Sequence, residues 1–169
     1  MNPLTTSQII RFSKAILMLS FSFFGLLVLY SNFTDYTTNF EYLAHILSMD
    51  TTSDGHKYRD RAITSTLLQH RIYWVIITLE VVYTLFCLLG TYHLFKSISA
   101  SPKIFHDAKK PALIGLLIAL FLYYFGFQVI GTEWFNMDRS ETWNYKDWAR
   151  HIVGFLFPLL IFIAMKVER

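Results

Sequence analysis

The chain has 169 residues, of which 54% are hydrophobic and 16% charged, with a net charge of +3 and a mean hydropathy of +0.38. A water-soluble domain of this size cannot hide so large an apolar share in one core, and the same composition excludes a disordered chain. One cysteine excludes an intramolecular disulfide and a thiolate zinc cluster, which leaves an all-α protein embedded in a bilayer.

A hydrocarbon core about 30 Å thick requires roughly 20 apolar residues of helix, and isolated strands cannot cross it. Four stretches qualify: residues 9–30, 72–92, 112–131 and 149–165, together 80 residues. The first carries Arg11 and Lys14 in its opening turns, as a signal peptide does. Its exit, Tyr30-Ser31-Asn32-Phe33, offers no small-x-small cleavage site, so it reads as an uncleaved anchor. Asn32-Phe33-Thr34 fits a glycosylation sequon by pattern alone and abuts the membrane, so it carries no weight.

Residues 31–71 are too many for a bare loop. Thr38 to Glu41 fits a capping box, with a hydroxyl cap followed three residues later by Glu. Phe40, Leu43, Ile46 and Leu47 follow at helical spacing. The pattern predicts an amphipathic helix over about 39–49. Asp50, Thr52, Asp54 and Gly55 partly match a calcium loop, but Arg61 stands where a bidentate Glu is required. Residues 50–55 therefore read as a turn built by Asp side chains. Thr66 to Gln69 is a second capping box, starting the second long helix about one and a half turns before the bilayer.

Glu80 alone interrupts the second span. A carboxyl there costs a few kcal/mol on insertion scales, so it should face the protein interior and find a partner. Gln128, near the outer end of the third span, is a candidate partner, and Tyr83 and Thr84 lie one turn deeper than Glu80. Two readings stay open: a proton, cation or subunit-contact site, and a structural hydrogen bond. Cys87 reads as a lipid- or core-facing apolar residue.

In the third span, Gly115 and Ala119 form a small-xxx-small pair that Ala108 and Ala112 extend, fit for close helix contact within the bundle or between subunits. The fourth span contains Pro158, which predicts a kink near Gly154. All four Trp (74, 134, 143 and 148) fall on one predicted side. Segments 31–71 and 132–148 should form a periplasmic cap there. Its expected residues are Asp35, Asp50 and Glu133, with Trp134 and Trp143 packed on the amphipathic helix. His45, His56, His70 and His151 lie on that side too, but their spacing fits no metal motif, and they read as surface or packing residues.

Orientation follows from basic residues near span ends. Arg11, Lys14, Lys96, Lys103, Lys109, Lys110, Lys166 and Arg169 fall in short segments around the cytoplasmic loop 93–111 and the termini. Seven more basic residues are spread over the longer outer segments, together with nine of the 12 acids. Both termini are therefore expected in the cytoplasm. The basic balance reads as a cytoplasmic collar, with no nucleic-acid partner.

The runs Asn32-Phe33-Thr34-Asp35-Tyr36-Thr37-Thr38-Asn39-Phe40, His45-Ile46-Leu47-Ser48-Met49-Asp50-Thr51-Thr52 and Arg61-Ala62-Ile63-Thr64 resemble a bacterial family of predicted small integral membrane proteins of unknown function. Glu80, Gly131-Thr132-Glu133-Trp134-Phe135 and Trp143-Asn144 share in the resemblance, which covers nearly the whole chain. Members often carry two glycines before Glu-Trp-Phe, where this chain has Gly131-Thr132. The resemblance implies four transmembrane helices in the inner membrane of a Gram-negative bacterium and supplies no activity. The topology is also similar to that of claudin-like tetraspan proteins, without their paired external cysteines.

No phosphate loop, dinucleotide fingerprint, zincin motif or Ser-His-Asp pattern occurs in the sequence. The expectation is a non-enzymatic inner-membrane protein without cofactor or metal. Its partners would be the lipid bilayer and further copies of itself, as a cyclic trimer, and its role support of envelope integrity or membrane homeostasis. The rival readings are a proton- or cation-linked channel or transporter working through Glu80, and an accessory subunit of a larger membrane complex.

Overall fold

The computed structural model describes residues 5–52 and 57–167. Its regular elements are helices: α1 (Thr6–Thr34), α2 (Tyr36–Ser48), α3 (Thr66–Lys96), α4 (Pro102–Asp107), α5 (Lys110–Leu120) and α6 (Lys146–Ala164). α5 runs on into a π-helix, Phe121–Trp134. The only β pairing among the described residues is an isolated bridge between Thr52 and Ser140.

Four helices are long and apolar enough to cross a membrane: α1, α3, the run Pro102–Trp134 and α6. The shortest, α6, has 19 residues and reaches roughly 28 Å at 1.5 Å per residue, close to the thickness of the hydrocarbon. A third or less of each apolar stretch is buried inside the protein. Leu19, Phe23, Leu85, Leu117 and Ile161 point outward. A water-soluble bundle turns such side chains inward, so these faces meet lipid.

α3 lies between α1 and α5. Its crossing with α5 is close enough to require glycine: a Cβ at Gly90 would stand 2.6 Å from the Ala112 backbone, and one at Gly115 2.6 Å from Cys87 Sγ. Gly115 and the buried Ala119 thus serve packing within the chain. Pro158 sits inside α6, which remains helical from Lys146 to Ala164.

Two capping boxes read from the sequence take other roles. A single residue, Asp35, separates α1 from α2, so Thr38 lies inside α2 and caps nothing. Asn39 instead donates its side-chain amide to the Ser31 and Asp35 carbonyls, tying α2 to the end of α1. Gln69 does not bond back to its own helix start but donates to the Ile63 carbonyl at 2.7 Å. A reciprocal capping box does form at the start of α1, between Thr5 and Gln8.

At the basic end, part of the expected collar is interior. Lys14 and Lys109 are fully buried, and both donate to the Met165 carbonyl just past α6, at 2.6 and 2.9 Å. Arg11 donates to the Ile98 and Ala100 carbonyls beyond the end of α3. Helix C-termini present unpaired carbonyls and partial negative charge, which draws these cations in.

At the tryptophan-rich end, Ile46, Leu47 and Met49 cluster with Phe135 and Met137. The Thr52–Ser140 bridge and a Thr51–Ser140 hydroxyl contact of 2.9 Å join the same two segments. Met49 holds a left-handed backbone, φ 54, where α2 stops. Its side chain is buried in this cluster, which holds a conformation unusual for a residue other than Gly or Asn.

Candidate functional site

The buried residues of α3 follow one another at steps of three and four: Gln69, Tyr73, Ile77, Glu80, Tyr83, Cys87, Thr91 and Leu94 among them. That spacing is one helix face, and Glu80 stands on it with 3% of its surface exposed. It lies fourteen residues after Thr66 and sixteen before Lys96, or roughly 21 and 24 Å along the helix.

Asn32, two residues before the end of α1, donates its side-chain amide to Glu80 Oε2 at 2.5 Å. Tyr73 donates its hydroxyl to Asn32 Oδ1 at 2.9 Å. An amide suits this middle position because it offers donors on one side and an acceptor on the other. Gln128 takes no part: its Nε2 is buried and has no hydrogen-bond partner. Tyr83 bonds the Tyr123 hydroxyl at 3.1 Å.

Glu80 borders a cavity of about 190 Å³ between α1, α2, α3, the π-helix and α6. Tyr73, Phe127, Tyr145 and Trp148 form aromatic walls, Ser31 and Asn39 add polar groups, and Leu43 and Ile46 of α2 roof it. Phe127, Tyr145 and Trp148 are in mutual ring contact, with centroids 5.4 to 6.4 Å apart. No Lys, Arg or His is among the lining residues. Tyr145 lies just outside α6, and burial, together with neighbouring Tyr42, pushes its phenol up to about 12. It stays a neutral hydrogen-bonding group at ordinary pH.

The roof is pinned by aromatic contacts. Tyr36 OH bonds His70 Nδ1 at 2.9 Å, and Phe40 stacks on the His70 ring at 3.8 Å. At the far end of α2, Trp143 stacks on His45 at 4.5 Å and meets Tyr42 edge-on. Trp134 lines one groove together with Leu47 of α2. It is half exposed and lies under Arg61, whose guanidinium carbon is 5.0 Å from the ring centroid. Asp50 bonds His45 at 2.7 Å. Asp35 and Glu133 are exposed, and Asp35 makes no side-chain cap bond at α2. The calcium-loop resemblance and His56 fall partly or wholly outside the described residues. Among those residues, no three His, Cys, Asp or Glu side chains come together as a metal site.

Asn32, Tyr73, Phe127, Tyr145 and Trp148 are therefore site residues that the sequence pattern does not single out as such. One signal was available: Tyr73 and Glu80 are seven residues apart, which places them on one helix face. The chemistry of the cavity is narrow. The Glu80 carboxyl is the one formal charge on a lining otherwise made of aromatic, aliphatic and neutral polar side chains. Such a lining suits a monovalent organic cation, held by charge and by aromatic faces.

No curated protein and no solved structure matches the chain. A family model does match, over residues 10–166, and the family is described as predicted small integral membrane protein (DUF2165). With nearly the whole chain matched, the protein belongs to this family of small integral membrane proteins.

Proposed function

We propose that this protein is a non-enzymatic membrane-embedded receptor whose cavity beneath α2 binds an ammonium group. One observation carries the reading: the Glu80 carboxyl borders a 190 Å³ space with four aromatic walls and no cationic side chain on its lining. The space exceeds the roughly 150 Å³ cavity that admits benzene. An ammonium over an aromatic face gains about 0.5–2 kcal/mol, and the carboxylate adds an ion pair in a medium of low polarity.

A bound cation bridges α1, α2, α3 and α6, so occupancy strengthens the end where α2 meets residues 135–145. That coupling supports the role in envelope integrity or membrane homeostasis. In this reading the bilayer is a bacterial inner membrane with both termini cytoplasmic, supported by the basic residues at the end where Arg11 and Lys109 lie. Self-association as a trimer belongs to the same reading and is checked by native mass in mild detergent, where monomer alone refutes it.

The test of the receptor is titration of tetramethylammonium into the full-length protein held in amphipol, with Glu80→Gln alongside. The expected result is saturable binding that the variant weakens by about tenfold or more, the equivalent of 1.4 kcal/mol. Equal binding by both proteins, or none by the folded wild type, overturns it. A carrier reading is favoured by the polar contacts that continue along the bundle below Glu80, Tyr83 with Tyr123 and Ser22 with Thr91 at 3.0 Å. It demands cation flux in proteoliposomes that Glu80→Gln abolishes while the protein stays folded.

A further inference from the structure

We infer that the Glu80 cavity is the head-group end of a longer site, built for a single-chain amphiphile with an ammonium head. The inference rests on the ammonium reading above and adds a tail to the ligand. A second cavity of about 200 Å³ abuts the first, and Leu43, Ile46, Ile76 and Phe127 border both. Every other residue around the second cavity is apolar or glycine, Leu79, Leu122 and Phe125 among them. One space thus carries the carboxyl and the hydrogen-bonding groups, and the adjoining one is purely hydrocarbon.

The apolar space leads to the side of the protein. It shares Ile72, Phe125, Ile130 and Phe135 with a wider groove that also includes Trp134. Phe125, Ile130 and Trp134 are exposed on a span whose outward faces meet lipid. An amphiphile can therefore enter from the bilayer, with its tail remaining in hydrocarbon throughout. The volume is that of one chain: a cavity of roughly 150 Å³ is filled by a single benzene, so 200 Å³ does not hold two tails side by side.

The π-helix helps to make the room. Its bonds run to the fifth residue back, as in Phe135 N–H to the Ile130 carbonyl at 3.2 Å, and Gly126 and Gly131 border the apolar space without side chains. The charge pattern selects the head. Glu80 is the only formally charged residue on either lining. A phosphate, sulfate or fatty-acid carboxylate finds no cation there and meets a like charge, whereas an ammonium is complementary.

The experiment compares tetramethylammonium, octyltrimethylammonium and octyl glucoside on the full-length protein in amphipol, by calorimetry with native mass spectrometry for stoichiometry. One octyltrimethylammonium per chain should bind about tenfold more tightly than tetramethylammonium, or better. Each buried methylene is worth up to about fourfold, and the amphipol competes for part of that. Gly126→Leu should remove the advantage of the tail and leave tetramethylammonium binding unchanged. A Cβ there meets only Leu122 Cδ1, at 3.7 Å, so the added side chain fills cavity and does not strain backbone. Ile130→Trp, at the lipid-facing mouth, tests the same tail should Gly126→Leu melt early. Tetramethylammonium binding with no gain from the octyl chain overturns the amphiphile and leaves the ammonium receptor standing. Octyl glucoside binding as tightly as octyltrimethylammonium also overturns it, since the head then selects nothing. Failure of both ammonium probes on folded protein removes the receptor reading together with the tail.

Discussion

Replacing Asn32 by leucine cuts the link between Glu80 and Tyr73. The three side chains are 9%, 3% and 4% exposed, so the two groups left behind have little bulk water to turn to. A buried polar group without its partner costs about 1–3 kcal/mol. The cavity beside Glu80 admits some water, and hydrogen bonds between membrane helices average only about 0.6 kcal/mol, with a maximum near 1.7. Asn32→Leu should therefore destabilise the protein by about 2 kcal/mol, a shift of roughly 4–8 °C in melting temperature for a chain of this size. Glu80→Leu alone leaves the Asn32 amide unmet and should cost about 1 kcal/mol. In the double variant only the Tyr73 hydroxyl lacks a partner, a cost of about 1 kcal/mol, so its loss should fall short of the sum of the singles by about 2 kcal/mol. Reversible unfolding of the four proteins in mild detergent measures that shortfall. Additivity within about 0.5 kcal/mol would mean that Asn32 and Glu80 are not in contact, and the site described above would be wrong.

Gly90→Ala should destabilise by about 1–3 kcal/mol through overpacking against Ala112. Gly154→Ala, where a Cβ meets nothing within 4 Å, should be neutral or gain up to about 1 kcal/mol of helix propensity; melting shifts of the same sign and size contradict the α3–α5 crossing. Lys14→Met combined with Lys109→Met removes two donors from the Met165 carbonyl, and amide exchange over residues 161–165 should quicken by about tenfold, the equivalent of 1.4 kcal/mol. Unchanged protection rules out these lysines as the anchor of α6. The Tyr145 phenol is held up to about 12, from 10 in an unfolded chain, so its contribution to stability is complete below pH 10 and is lost as pH rises from 10 to 12. Because the ring is partly exposed, the loss is on the order of 1 kcal/mol. Melting curves of wild type and Tyr145→Phe over pH 9–12 isolate it, and parallel slopes disprove it.

The four spans were legible in the sequence because hydropathy is a property of neighbouring residues, and a helix that bonds only within itself needs no partner to be recognised. Glu80 was legible for the same reason: one acid in an uninterrupted apolar run declares that it must turn inward. Its partner was not. Gln128 has the right chemistry and a plausible depth, but it sits in the π-helix, whose altered winding rotates residues beyond Phe121 away from the faces that ordinary helical spacing assigns. Asn32 reaches the carboxyl across 48 residues of chain.

Thr38 and Glu41 have the spacing of a capping box, but a cap requires a free helix start, and α2 follows α1 after a single residue. Lys14 and Lys109 look like solvent-facing charges until the fold sets the Met165 carbonyl, just past α6, within reach of both. Composition and periodicity by themselves determined that the chain spans a bilayer four times and carries one acid within it. Tertiary structure alone decided what that acid touches, because the rotation and register of one helix against another depend on packing between residues far apart in the chain. The same packing left an aromatic space beside the acid.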